Sequence, residues 1–274
     1  MQAVLSGRIR QSILFAVRRP AYGLATGTIA TILFQSSSAT TSLTVGMVSA
    51  GLISFYHSLG VILGADIGTT LTAQLVVWKV TEASPLLLLG GIMIWLGGKE
   101  RVQPLGEAIF YFGLIFFGLN LITQASLPFK DNEMVVRFFR EATNPIIGFG
   151  AGVIFTAVVH ASSIPVSILI ILASQGFMTI ESAFPVVLGA NVGTTVTALL
   201  GSVVGNIDGR RAAVAHLLTK SAGVGAAFLL LTPITLLLKE LSSSVPQQIA
   251  LGHFVLNLMV VAIFLPFLKP FERL

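Results

Sequence analysis

Hydrophobic positions along the chain fall into runs that are often too short, or too interrupted, for a row of simple membrane spans. Residues 20–34 are apolar over about half to three quarters of the roughly 20 residues a span requires, stop at Gln35-Ser36-Ser37-Ser38, and resume to about Leu52. Two short apolar arms around a polar tip predict a re-entrant helical hairpin. Residues 55–80 form a longer run broken in its middle by Gly64-Ala65-Asp66-Ile67-Gly68-Thr69-Thr70, and ordinary spans are predicted at about 84–97 and 105–123. After Asn144-Pro145 the pattern restarts. One arm runs to Val159, a tip follows at His160-Ala161-Ser162-Ser163, and a second arm runs to about Phe177. Next come a broken segment with Gly189-Ala190-Asn191-Val192-Gly193-Thr194-Thr195 and two spans near 212–237 and 248–268.

The restart is an internal repeat that aligns without a gap at an offset of 125 residues. Pro20 falls on Pro145, Gly23 on Gly148, Gly27 on Gly152, Thr31 on Thr156, Ser37 and Ser38 on Ser162 and Ser163, Ser42 on Ser167, and Gly51 on Gly176. Leu63-Gly64-Ala65 falls on Leu188-Gly189-Ala190, and Gly68-Thr69-Thr70 on Gly193-Thr194-Thr195. The matches are mostly Gly, Ser and Thr, which apolar composition alone would not align. The predicted fold class is therefore all-α: a polytopic membrane protein of two inverted repeats, each with a re-entrant hairpin, a broken helix and two spanning helices. The units are an amphipathic cytoplasmic helix at 1–19, repeat one at 20–125, an amphipathic connecting helix at 126–144, repeat two at 145–268 and a cytoplasmic tail at 269–274.

Charge supports that topology. If each hairpin returns to its own side, each repeat crosses three times, and an odd number inverts the second repeat relative to the first. With the N-terminal helix inside, Arg8, Arg10, Arg18, Arg19, Lys99, Arg101, Arg210, Arg211, Lys269 and Arg273 all fall on the cytoplasmic side. Only Lys79, Lys130, Arg137, Arg140 and Lys239 fall outside, and Asp131, Glu133 and Glu141 balance those of the 126–144 stretch. The four arginines of residues 1–19 lie between apolar residues with no cleavage site after a clean apolar run, so this segment reads as a surface helix and not a signal peptide. The two polar tips would then enter from opposite faces and meet near the midplane.

Composition narrows the function. Some 54% of residues are hydrophobic and 10% charged, where a soluble domain carries about a quarter charged; mean hydropathy is +0.92. A disordered chain, a nucleic-acid-binding domain and an ordinary cytosolic enzyme are excluded, and the net charge of +5 fits membrane orientation better than nucleic-acid binding. With no cysteine, disulfides, thiolate metal sites and cysteine nucleophiles are absent. Catalysis finds no support: there is no G-x-S-x-G or H-E-x-x-H, and where His160 stands near Ser162 and Ser163 the first repeat has Gln35.

The polar tips and breaks carry the chemistry. A helix broken within a bilayer frees amides and carbonyls that protein, water or a ligand must satisfy. Helix N-termini favour an anion, whereas freed carbonyls and hydroxyls suit a hard cation. A cluster of Ser36, Ser37, Ser38, Ser162, Ser163, Thr69, Thr70, Thr194 and Thr195 can therefore surround a tetrahedral oxyanion and offer oxygens to sodium, with Gly64, Gly68, Gly189 and Gly193 allowing unusual backbone and close approach. Small residues also simply pack helices, which is the reading for Gly23-xxx-Gly27 and Gly148-xxx-Gly152. Recurrence of the polar tips at one register in both repeats favours a ligand site. Asp66 is the one acid at the core of a broken segment, and its counterpart is the neutral Asn191. It needs a cation, a positive side chain or a proton: a sodium ligand or coupling charge on one reading, an ion pair with Lys220 on the other, and the two are compatible in different states. His216 and Lys220 share one helix face, as do His253 and Asn257, which predicts an interhelical hydrogen-bond network. His57 is placed in a loop, and Glu107 and Glu181 at the span ends as surface charges.

With its Gln-Ser-Ser-Ser tip and Gly-Ala-Asp-Ile-Gly-Thr-Thr break, the sequence resembles the sodium/phosphate cotransporter family, particularly its bacterial branch, whose members pair such tips and breaks in two repeats. Arg210-Arg211, His216, Lys220, His253, Asn257 and Leu265-Pro266-Phe267 extend the likeness. The resemblance implies sodium-driven movement of inorganic phosphate by alternating access, with no enzyme activity. Sodium would be the coupling ion and there would be no other cofactor. It implies substrate contacts at Ser36, Ser37, Ser38, Ser162, Ser163, Thr69, Thr70, Thr194, Thr195 and Asn191, and sodium ligands at Gln35, Asp66, Thr70 and Thr195. His160, Lys220 and Asn257 would give support or coupling. The expected partners are phosphate, sodium and the lipid bilayer of a bacterial inner membrane, with a homo-oligomer left open. Three departures stand out: His160-Ala161 replaces Gln-Ser in the second tip, the chain begins after the helix that opens bacterial members, and it stops before their C-terminal helical domain. Another oxyanion or an organic anion, a proton driver, or a non-transporting phosphate-binding scaffold or sensor are the alternatives.

Overall fold

The computed structural model describes residues 7–129, 132–134 and 144–271. Among these no strand occurs. Helix α1 (Gly7–Val17) precedes the first repeat, which comprises α2 (Pro20–Phe34), α3 (Ser37–Ser49), α4 (Phe55–Gly68), α5 (Thr70–Val77), α6 (Ser84–Gly97) and α7 (Gln103–Ser126). The second comprises α8 (Pro145–Val159), α9 (Ser163–Ser174), α10 (Ile180–Gly193), α11 (Thr195–Ser202), α12 (Ile207–Leu229), α13 (Leu231–Leu241) and α14 (Val245–Phe264), and the short α15 (Leu268–Phe271) follows it. Of the connecting helix expected at 126–144, residues 130–131 and 135–143 lie outside the described residues, as do 1–6 and 272–274 of the terminal segments.

Local chemistry sets the helix ends. Proline opens α2 and α8, where its missing N–H costs nothing. Asn144 Oδ1 accepts from the amides of Ile146 and Ile147, Ser54 Oγ from that of His57, and Asn206 Oδ1 from that of Gly209. His57 therefore sits in the first turn of α4, not in a loop. The spans expected at 212–237 and 248–268 are redrawn. The Asn206 cap starts α12 at Ile207, ahead of the charged residues that hydropathy had excluded. The Pro233 ring is incompatible with continuing the helix past the carbonyl of residue 229, and α12 ends at Leu229.

Among the described residues six segments are long and apolar enough to cross a membrane, three in each repeat: Phe55–Val77, Val80–Gly97, Gln103–Phe129, Ile180–Ser202, Ile207–Leu229 and Val245–Phe267. The 15-residue arms α2 and α8 reach only about 22 Å at 1.5 Å per residue, short of a 30 Å hydrocarbon core. The α4–α5 and α10–α11 segments are 72% and 67% buried, whereas those containing α6 and α7 are 11% and 22% buried. The split segments thus form the centre, and α6 and α7, packed on each other, lie at the periphery.

Within each repeat the first hairpin arm packs on the first half of the split segment, α2 on α4 and α8 on α10. Glycine lets the backbones touch. A Cβ on Gly27 or Gly64 would strike the carbonyls of Val61 or Leu24; one on Gly152 or Gly189 would strike those of Val186 or Phe149, the same contacts 125 residues on. The glycines of the breaks are helical, so close approach, and not unusual backbone, is what they supply. The second arms cross over: α3 packs on α11 and α9 on α5. Val45, Leu59, Leu63, Ala198, Ala212 and Val260 form the apolar cluster where the repeats interlock.

Candidate functional site

The two polar corners meet. Gln35 and His160 terminate α2 and α8 in the left-handed region, φ 51° and 61°, turning the chain sharply into α3 and α9. Each tip side chain is held by the same threonine of its own repeat. Thr72 Oγ1 donates to Gln35 Oε1 at 2.9 Å, and His160 Nδ1 lies 3.0 Å from Thr197 Oγ1. Across the repeats, Ser38 Oγ donates to the His160 carbonyl at 2.7 Å. Ser36 caps α3 through the Ala39 amide. Among the described residues the hydroxyls of Ser37 and Ser162, buried, and of Ser163, half-buried, have no hydrogen-bond partner. The first amides of α3 and α9 have no helical carbonyl to bond, and Pro165 carries no N–H.

The threonines of the breaks differ from the serines. Thr69 and Thr194 each form a one-residue interruption that keeps helical dihedrals, so no unwound stretch exists there. Thr70 Oγ1 donates to Ile67 O (2.7 Å), Thr194 Oγ1 to Asn191 O (2.7 Å) and Thr195 Oγ1 to Val192 O (2.8 Å). The protons of Thr70, Thr194 and Thr195 are committed to their own helices, and only their lone pairs are left, fit for a cation or a donor and unfit to donate to an anion; the Thr69 hydroxyl makes no such bond.

Behind the breaks lies a buried ion-pair network. Lys220 Nζ, on α12, is 2.9 Å from Asp66 Oδ1 on α4 and donates to Asn257 Oδ1 on α14 at 2.9 Å and to Asn191 Oδ1 on α10. His216 Nε2 stands 3.5 Å from Asp66 Oδ1, and Asn257 Nδ2 donates to the His253 carbonyl at 2.8 Å. The ion pair expected between Asp66 and Lys220 is formed. Asn191, expected against substrate, is engaged by Lys220. Asp66 Oδ2, Asn191 Nδ2 and the ring nitrogens of His216 and His253 are buried without hydrogen-bond partners. Glu181, at the start of α10, pairs with Lys239 of α13.

A family model described as "Na+/Pi-cotransporter" matches residues 1–124 and 130–268. The chain belongs to the Na+/Pi-cotransporter family. That is a family of transporters and not an enzyme class. Among relatives, the chain is 29% identical to "Uncharacterized protein YqeW" of Bacillus subtilis over 97% of its own length and 87% of that protein's. It is 31% identical to "Putative inorganic phosphate export protein YjbB" of Escherichia coli over 98% of its own length, and spans 50% of that protein. Human "Sodium-dependent phosphate transport protein 2B" is 31% identical over 35% of the chain and 14% of that protein. No solved structure matches. Family membership and six apolar helices make this a multi-pass membrane protein.

In this member of the family, then, the expected residues divide into two groups. Gln35, His160 and the serines gather at the tips, whereas Asp66, Asn191, Lys220 and Asn257 form the network. Sequence reasoning missed Thr72 and Thr197, although their shared register at an offset of 125 was there to be seen. The Ser38 bond was not readable, because its acceptor is a main-chain carbonyl. A cavity of about 680 Å³ lies elsewhere, lined by Lys79, Glu82, Asn120, Gln124, Ser174 and others, and by none of the tip residues. Since Gln35 makes in one repeat the contact His160 makes in the other, His160→Gln should keep thermal stability within about 0.5 kcal/mol. His160→Ala, which strands Thr197, should lower the melting temperature.

Proposed function

We propose that the chain carries inorganic phosphate across the membrane coupled to sodium, by alternating access of a site at the two tips. The observation carrying this is the joining of the corners by Ser38 and the His160 carbonyl, beside serine hydroxyls free to donate. In this reading the hydroxyls of Ser37, Ser162 and Ser163 and the first amides of α3 and α9 hold the tetrahedral anion. Gln35, with lone pairs of Thr70 and Thr195, helps to hold sodium, whose charge offsets the anion. A site filled with both ions can then close where a half-filled one cannot. The three spanning segments per repeat and the basic residues predicted inside support inverted repeats, with the N-terminal helix and C-terminus on the cytoplasmic side.

The test is radiolabelled phosphate uptake into proteoliposomes with and without a sodium gradient; uptake indifferent to sodium would overturn the coupling. Ser37→Ala and Ser162→Ala should each weaken phosphate binding roughly tenfold to a hundredfold, the worth of one hydrogen bond to a charged group. Phosphate-dependent thermal stabilisation reads this directly, and unchanged stabilisation in both variants would place the pocket elsewhere. The name of the Escherichia coli relative favours a second reading, net movement outward. Efflux from phosphate-loaded vesicles of defined orientation distinguishes it.

A further inference from the structure

Among the described residues Lys220 is the one buried lysine or arginine. Its ammonium has three protons and meets three oxygens: Asp66 Oδ1, Asn191 Oδ1 and Asn257 Oδ1, from three different helices. Asp66 and Asn191 occupy one position of the two repeats, so the ammonium stands where corresponding side chains of the two halves converge. Without it, the pocket would present one carboxylate and two amide oxygens, the hard donors that hold alkali and alkaline-earth cations. Asp66 Oδ2, buried and unpartnered, supplies a fourth. His216 and His253, the other titratable groups facing the pocket, donate no hydrogen bond to this oxygen set.

We propose that Lys220 is a tethered cation filling an oxygen cage otherwise suited to sodium, so that the chain carries covalently a positive charge that a free ion would have to supply. The charge cannot leave, and it fastens Asp66 of one repeat to Asn191 of the other whether or not sodium is present. The inference concerns occupancy of the cage alone and stands apart from phosphate transport.

The test uses the purified full chain in detergent, without phosphate, comparing melting temperatures in sodium, potassium and choline chloride at matched ionic strength. Lys220→Ala should gain a sodium-dependent rise beyond any seen in the wild type, roughly 3–6 °C at ten times the dissociation constant. Asp66→Asn in the same background should remove the gain. A folded Lys220→Ala variant with the wild-type response to sodium overturns the proposal, and so does a gain that survives loss of the carboxylate. If Lys220→Ala folds poorly, its recovery as a monodisperse peak decides. Recovery in sodium and not in choline supports the cage. Failure in both salts, with the doubly substituted Asp66→Asn, Lys220→Ala chain folded, overturns it.

Discussion

Gly64→Ala is expected to destabilise the protein by about 1–3 kcal/mol or more, the cost of overpacking a filled interior, and Gly64→Leu to leave no folded material. The added Cβ would overlap the Leu24 carbonyl, which is backbone and cannot swing aside. Relief requires α2 and α4 to separate, which breaks the bond from Thr28 Oγ1 to the Gly64 carbonyl at 3.0 Å. It also shifts Gln35, at the end of α2, away from Thr72. Gly189→Ala should behave alike, because its Cβ meets the Phe149 carbonyl in the equivalent seam. Gly46 is the control: nothing lies within 4 Å of its Cβ position, so alanine there should be neutral or stabilise by up to about 1 kcal/mol through helix propensity. Thermal unfolding of detergent-solubilised variants separates the cases, and Gly64→Ala melting with the wild type would show the seam to be looser than described.

Asp66→Ala should be the other large effect, about 3–5 kcal/mol, because it leaves the Lys220 ammonium buried without its counter-charge. Adding Lys220→Met should recover most of the loss, since a neutral, well-packed replacement of a buried ion pair is often no less stable than the pair. A double-mutant cycle measures this as a coupling energy between the two sites. A coupling near zero would mean that the carboxylate and ammonium are balanced by something other than each other.

The division of the chain into two like halves was legible because Gly, Ser and Thr at fixed register are unexpected in an apolar sequence. Hairpin arms and spans followed from run lengths, which the bilayer thickness makes meaningful. The threonine roles were not legible, since whether Thr70 or Thr195 offers a proton depends on a carbonyl three residues back on its own helix. The break itself was overestimated: Gly68-Thr69-Thr70 looks like an unwound stretch, yet Thr69 keeps helical dihedrals while its amide still bonds the Ala65 carbonyl. Asp66 was left between two readings because a carboxylate's partner is a fact of three dimensions, here supplied 154 residues away. The end of α12 was missed because hydropathy sees Leu229 to Leu231 as continuous and does not register the steric veto of Pro233.

The crossing of the second arms, α3 onto α11 and α9 onto α5, means that neither half owns a finished corner. A polypeptide with one repeat would expose the face of its arm and lack the surface that completes it. Two such polypeptides clasping each other could complete both corners at once. The duplication in this sequence thus has the form of a former pair of subunits, joined into one chain whose halves still need each other to be whole.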